Sequence, residues 1–241
     1  MQRRIFRRSS HIASSGETMD FDAIRQHLLE LDTASICDAA KSLSVQVRVV
    51  DPAIRPVRSG LKLIGRAFTV VCHNDFLTVI QGLRDAEPGD VLVIDSQGST
   101  KAVTGNLFPT EAMRKGLAGI VNDGPCRDTF VVCSMEIPYY ARSVTCVPGH
   151  ANRLFETQVP INCGGVTVNP GDILFGDDDG IVVGSCEELA KLVPIAQEVV
   201  QKEASLLEGM ASGVSLLEML NFDEHCENLA AGKPSKLEFK V

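Results

Sequence analysis

Gly105-Asn106-Leu107-Phe108-Pro109 and, further on, Asn122-Asp123-Gly124-Pro125-Cys126-Arg127-Asp128 decide how this chain is read. A helix follows Asn106 and stops near Gly116, and Gly119-Ile120-Val121 is the buried strand after it. Twenty residues, Leu107 to Cys126, separate Asn106 from Arg127. An anion-accepting helix start thus precedes a strand and an Asp123-Gly124-Pro125 turn that projects a guanidinium beside a carboxylate.

The same alternation continues outward. Phe21, Ile24, Leu28 and Leu31 recur at helical spacing, with Asp20 or Asp22 near the start, and Thr33–Leu43 reads as a second short helix. Residues 45–57 hold two prolines and form an extended connection. Leu63–Cys72 is a strand with Gly65 as a bulge, and Asp75–Arg84 is a helix ended by Glu87-Pro88-Gly89-Asp90. Val91–Asp95 is then a fully apolar strand.

Downstream, Val131–Met135 reads as a short helix, Ile137–Ala141 starts another strand, and further strands lie around Val144, Val159 and Val166. Asn169-Pro170-Gly171-Asp172-Ile173-Leu174 echoes the earlier Pro-Gly turn and its strand. Asp177-Asp178-Asp179-Gly180 sits between two apolar runs as a hairpin turn and lacks the spacing of a calcium loop. Glu187–Met210 is the longest helix, with Pro194 as a kink; Ser215–Leu220 is an apolar turn, and 221–241 a polar tail. No mid-chain linker interrupts the pattern, so the expectation is one α/β domain over 19–220.

Composition narrows the function. With 241 residues, 44% hydrophobic and 22% charged, the chain is of ordinary globular make-up. A net charge of −8 disfavours a nucleic-acid partner, which demands a basic face. No apolar run approaches the roughly 20 residues needed to span a bilayer. Eight cysteines without CxxC spacing read as buried free thiols of a reducing, cytoplasmic compartment. Five dispersed histidines offer no zinc pattern. Residues 1–18 carry four Arg and one Glu, leaving 19 basic and 30 acidic residues beyond them. That leader reads as a disordered basic extension before a start at Met19, or as an organelle presequence.

The chemistry concentrates in the opening stretch. If Asn106 caps its helix, the free amides of Leu107 and Phe108 point outward with the positive end of the dipole, and Gly105 allows close approach of a carboxylate. Arg127 and Asp128 are adjacent, so an ideal mutual ion pair is difficult. The Arg offers a fork for a substrate carboxylate and the Asp an oxygen for magnesium or manganese. Locally, a plain N-cap is the better reading of Gly105-Asn106 alone, and a surface Arg with a capping Asp reads as well as a site. Lys101 offers a competing, metal-independent Schiff base, or is simply a surface residue.

Taken in order, Thr33–Ala40, Pro88-Gly89-Asp90, Gly105-Asn106, Asn122 to Asp128, Ile137 to Arg142, and Pro170-Gly171-Asp172 through Asp179-Gly180 resemble the RraA-like family over about residues 30–218. That family includes class II 4-hydroxy-4-methyl-2-oxoglutarate aldolases and the regulator of ribonuclease activity A. The resemblance implies a single-domain αββα sandwich of the swivelling, phosphohistidine-like type, and a homotrimer or hexamer with sites between subunits. It implies a lyase acting on a pyruvate-containing 2-oxo acid through a pyruvate enolate. Asp128 would ligate Mg²⁺ or Mn²⁺, Arg127 would hold the pyruvyl part, and Gly105, Leu107 and Phe108 would frame its carboxylate. A Glu from a neighbouring subunit falls on Glu203, with Glu198 and Glu208 as alternatives.

One departure stands out. The aldolase branch carries an acid where this chain has Asn106, and Asn neither accepts a proton nor supplies charge. Decarboxylation of oxaloacetate reaches the same enolate without a base at a hydroxyl, and is expected to tolerate Asn106 better than aldol cleavage. A non-catalytic, protein-binding regulator of the ribonuclease E inhibitor type is the alternative. A methyltransferase finds no support, since no Gly-rich loop for S-adenosylmethionine is present.

Overall fold

The computed structural model describes residues 20–240; the extension expected over 1–18 lies outside them. Asp20 caps α1 (Phe21–Leu28) by accepting the Ala23 amide at 2.9 Å. Asp32 caps α2 (Thr33–Ser42) in a reciprocal box with Ser35. The connection that follows carries two short strands, β1 (Arg48–Val49) and β2 (Arg55–Pro56). Next come β3 (Leu63–Val71), α3 (Leu77–Asp85), β4 (Asp90–Asp95), α4 (Leu107–Lys115) and β5 (Gly119–Cys126). The chain continues through α5 (Thr129–Val132), β6 (Tyr139–Val144), β7 (Ile161–Cys163) and β8 (Val166–Val168). It ends with β9 (Ile173–Gly176), β10 (Ile181–Gly184), α6 (Cys186–Ala211) and α7 (Phe222–Ala230).

Eight strands form one mixed sheet in the order β1-β10-β9-β3-β4-β5-β6-β2, with β3 to β6 parallel in the middle. The sheet curls until distant parts meet. The Tyr140 hydroxyl on β6 donates to the Asp177 carbonyl after β9 at 2.9 Å, and Arg55 on β2 donates to the Asp179 carbonyl at 3.1 Å. Strand alternation then sorts the side chains. Leu63, Val91, Val121 and Leu174 face inward, where the β7–β8 hairpin adds Ile161, Cys163 and Val168. Phe68, Leu92 and Ile120 face outward beneath α3 and α4, whereas Ile64, Phe175 and Val182 face α1, α2 and α6. Helices therefore cover the curled sheet on both outer sides, as the layered α/β expectation required.

The two Pro-Gly turns are built alike. Gly89 and Gly171 both adopt positive φ (88° and 83°), and the following Asp takes the amide of the residue three before it: Glu87 to Asp90 at 2.9 Å, Asn169 to Asp172 at 2.8 Å. The acid triplet is a hairpin turn, closed by the Asp177 amide on the Gly180 carbonyl at 3.0 Å. Asp177 also anchors α2, accepting the Thr33 amide at 2.8 Å and its hydroxyl at 2.7 Å.

Other expectations need correction. Gly65 is not a bulge, because it pairs in register with Leu174 on β9. A Cβ there would meet the Gly89 carbonyl oxygen at 2.5 Å and the Ala118 Cβ at 2.8 Å, so the glycine lets the turn before β4 pass close by. Since backbone cannot yield as a side chain can, Gly65→Ala is expected to cost about 3 kcal/mol in urea unfolding; a cost under about 1 kcal/mol would contradict the close approach. None of the eight cysteines forms a disulfide, but Cys133, Cys146 and Cys226 are exposed and Cys37 and Cys186 only partly buried. α6 runs as one helix through Pro194. The polar tail carries α7 and returns through a bridge between Phe239 and Leu220.

Candidate active site

Three segments converge at the carboxyl end of β5. Asn122, fully buried, donates its side-chain amide to the Thr104 hydroxyl at 3.2 Å and the Pro125 carbonyl at 3.1 Å. Tyr139 holds the same Thr104 hydroxyl from β6. Thr104 in turn accepts the Arg127 amide at 3.1 Å and bridges Cys126. This anchoring corrects the expected Asp123-Gly124-Pro125 turn: β5 slips register between Asn122 and Pro125 and continues to Cys126. Asp123 is engaged elsewhere, its carboxylate accepting Arg142 Nε and the Gly164 amide.

Beyond Cys126 the backbone turns left-handed at Asp128 (φ 60°, ψ 29°). Asp tolerates this region better than most residues, at a cost of order 1 kcal/mol. The carboxylate thereby swings back over Gly105. Its Oδ2 accepts the Asn106 amide at 3.1 Å, and Arg127 Nε lies 3.5 Å from the same oxygen, too far for a hydrogen bond. Oδ1 has no protein partner among the described residues. Both side chains remain open to solvent, at 42% for Arg127 and 35% for Asp128. Gly105 makes this possible: a Cβ there would stand 2.5 Å from Asp128 Oδ2 and 3.0 Å from Arg127 Nε.

The start of α4 differs from expectation. Asn106 already has helical backbone (φ −59°, ψ −27°), and its side chain makes no capping bond. The Phe108 amide donates back to the Gly105 carbonyl at 3.2 Å, in a tight i−3 turn. Among the described residues this leaves the Leu107 amide, not the pair, unbonded beside Arg127.

Glu203 is not brought to this point within the chain. It is exposed on α6, which packs against α1 and α2; Glu198 and Glu208 share that helix. Lys101 Nζ lies 2.7 Å from His150 Nε2. No three His, Cys, Asp or Glu side chains cluster as a ready ligand set among the described residues. The donors present, one half-open carboxylate next to an arginine, suit a magnesium-type cation that retains most of its water and takes the rest of its ligands from substrate.

A cavity of about 520 Å³ opens where Gly105, Leu107 and Arg127 meet. Its walls are Phe76, Ile80, Leu83, Val103 and Phe108, drawn from α3 and the residue before it, α4, and the loop that joins β4 to α4. Asp75 ties the start of α3 to the loop at Asn152 and Arg153. Almost fully buried, it accepts the amides of Leu77 (2.9 Å), Asn152 (2.7 Å) and Arg153 (3.1 Å). Burial alone would raise its pKa, but these three donors outweigh it and hold the carboxyl below its ordinary value. A carboxyl depressed in the fold adds stability above its unfolded pKa of about 4 and loses it as pH falls through the folded value. Asp75→Asn is therefore expected to lower unfolding free energy at pH 7 by about 2 kcal/mol and to flatten the loss of stability below pH 4. An unchanged acid limb in the variant would contradict this.

A family model described as RraA-like (Aldolase/RraA) matches residues 33–183. The chain belongs to the RraA-like family. Among RraA-like relatives, a Halalkalibacterium halodurans protein named provisionally as a 4-hydroxy-4-methyl-2-oxoglutarate aldolase is 35% identical over 155 residues, 64% of this chain and 72% of that one. An uncharacterised Methanocaldococcus jannaschii protein is 33% identical over 202 residues, 81% and 93% of the two chains. An uncharacterised Pseudomonas syringae pv. tomato structure superposes with a TM-score of 0.72 at 29% identity, covering 82% of this chain and 96% of that one. The RNA-processing inhibitor RraA of Thermus thermophilis gives 0.56 at 27% identity, covering 61% and 90%. The RraA-like match takes in the site from Gly105 to Asp128 and stops before α6 and Glu203. No helix among the described residues is long and apolar enough to cross a membrane.

Proposed function

We propose that this RraA-like protein is a divalent-metal-dependent lyase that breaks a C–C bond of a 2-oxo acid and releases pyruvate. The observation that carries the proposal is the Asp128 carboxylate, held over Gly105 with Oδ1 unpartnered among the described residues and Arg127 alongside. The provisional aldolase names of relatives support the same chemistry.

Arg127 has the geometry to grip a substrate carboxylate, because its guanidinium makes no hydrogen bond to Asp128. The Leu107 amide at the start of α4 adds a second donor with the helix dipole behind it. Mg²⁺ or Mn²⁺ on Asp128 would supply Lewis-acid polarisation of the 2-oxo group. Breaking the C3–C4 bond would leave its electron pair on C3, where a returning proton gives pyruvate. Arg127 stabilises the negative charge that develops. From oxaloacetate the departing fragment is carbon dioxide, so no hydroxyl proton need be removed. From a 4-hydroxy substrate the hydroxyl proton must leave, and Asn106 cannot take it.

The proposed assembly is a homotrimer or hexamer in which Glu203 of a neighbouring subunit completes the site. Phe130 and Leu107, 90% and 73% exposed beside Asp128 and Arg127, form apolar surface of the kind that subunit contacts cover. Likeness to an RNA-processing inhibitor supports a second reading, a protein-binding regulator.

Oxaloacetate and 4-hydroxy-4-methyl-2-oxoglutarate, each assayed with Mg²⁺, Mn²⁺ or EDTA, test the proposal. Decarboxylation should exceed the metal-only rate by about tenfold or more and vanish with EDTA. Asn106→Asp should raise aldol cleavage by about a hundredfold while changing decarboxylation far less. Turnover indifferent to EDTA would overturn the metal role. No turnover of these compounds or of a 4-hydroxy-2-oxo acid with an apolar tail would overturn the lyase and leave the regulator.

A further inference from the structure

We propose that the cavity beside Arg127 receives the part of the substrate beyond its pyruvyl head, and that this part is apolar and ring-sized. The preferred ligand is thus a 2-oxo monocarboxylate ending in an aryl or branched alkyl group, in place of a second carboxylate. The head of this ligand rests on the lyase reading; the nature of its tail rests on the cavity alone.

Pyruvate has six heavy atoms, whereas about 520 Å³ lies within the range of pockets that enclose much larger ligands. The space is continuous with the proposed head site, since Gly105, Leu107 and Arg127 belong to both.

Phe76, Ile80, Leu83, Val103, Phe108 and Pro148 give the wall an apolar character, with the rings of Phe76 and Phe108 set edge to face at 6.0 Å. A planar ring meeting such walls gains contact without stranding a polar group.

A second carboxylate would need one of the remaining cations of the lining, Arg84, Arg114 and Lys115. Each is engaged. Arg84 is paired twice with Asp85 (2.6 and 2.8 Å) and Arg114 twice with Glu111 (2.7 and 2.6 Å). Lys115 donates to the carbonyls of Leu83, Arg84 and Ala86, at 2.6 to 2.7 Å, closing the end of α3. Both arginine side chains are also largely exposed to solvent, at 71% and 70%. Arg127, in a looser ion pair 3.5 Å from Asp128 Oδ2, is left as the lining cation without a hydrogen-bonded carboxylate, so the site is equipped for one acid group.

Titration calorimetry with Mn²⁺ present, using pyruvate, 2-oxoglutarate and 3-phenylpyruvate on the full chain, tests this directly. Phenylpyruvate should bind tenfold or more tighter than either of the others. Ile80→Asp places a charge at the cavity mouth from a position already 46% exposed, so the fold is spared. It should remove the phenyl gain and weaken pyruvate binding by far less. Equal affinities, tighter 2-oxoglutarate, or a phenyl gain that survives Ile80→Asp would each overturn the proposal.

A turnover arm separates the two readings. Cleavage of 4-hydroxy-2-oxo-4-phenylbutanoate gives benzaldehyde and pyruvate, the hydroxyl proton passing to solvent and C3 taking one back. A phenyl binding gain without turnover of any substrate would sink the lyase and keep the cavity assignment. Turnover of dicarboxylates without the binding gain would do the reverse.

Discussion

Asp128→Asn should lower kcat/KM for the lyase reaction by about a hundredfold or more, with the fold intact. The change isolates charge from shape. Asn adopts left-handed backbone as readily as Asp, so φ of 60° at this position is retained. Its amide oxygen can still accept the Asn106 amide now bound by Oδ2. Unfolding free energy should therefore move by no more than about 1 kcal/mol. What disappears is the negative charge that a hydrated divalent cation needs. Activity should fall chiefly as weakened metal dependence, visible in a Mn²⁺ titration of initial rates. Wild-type kcat/KM at ordinary metal concentration in the variant would remove Asp128 from the mechanism.

Gly105→Ala should be nearly as damaging, although it deletes no reacting atom. Gly105 does not have positive φ, so alanine fits its backbone. The added methyl would instead meet Asp128 Oδ2 at 2.5 Å and Arg127 Nε at 3.0 Å. Those atoms belong to side chains that can swing away, so the strain is relieved by spreading the two groups apart. A displacement near 1 Å at a reacting centre costs about a hundredfold in rate, and a loss of that size in kcat/KM is expected. Urea unfolding should show a change below about 1.5 kcal/mol. Gly65→Ala should give the opposite signature, because its methyl strikes the Gly89 backbone. If Gly105→Ala kept full activity, Arg127 and Asp128 could not act as a closely placed pair.

Much of this architecture was legible because it rests on local chemistry. Val91 to Asp95 and Gly119 to Val121 are too apolar to be anything but buried strand, and both are. The paired Pro-Gly-Asp turns and the acidic hairpin follow from residues whose backbone preferences are strong. Failures arose where partners distant in the chain overruled those preferences. Asp123-Gly124-Pro125 has turn composition, yet Asn122, Thr104 and Tyr139 hold it in an irregular strand. Asn106 has a capping side chain, but the chain enters α4 already helical and leaves that side chain unused. Gly65 carries the mark of a bulge and serves a close approach instead. The cavity was invisible, since Phe76, Val103, Phe108 and Pro148 lie in separate segments that only the fold assembles. The Arg127–Asp128 pair itself was prominent in the sequence; that Gly105 lies beneath both side chains required coordinates.

A crystal soaked with Mn²⁺ and pyruvate, measured for manganese anomalous scattering, tests the central assignment most directly. The expected result is an anomalous peak at bonding distance from Asp128, with the pyruvate carboxylate in the fork of Arg127. A manganese peak elsewhere, or pyruvate bound away from both side chains, would contradict it.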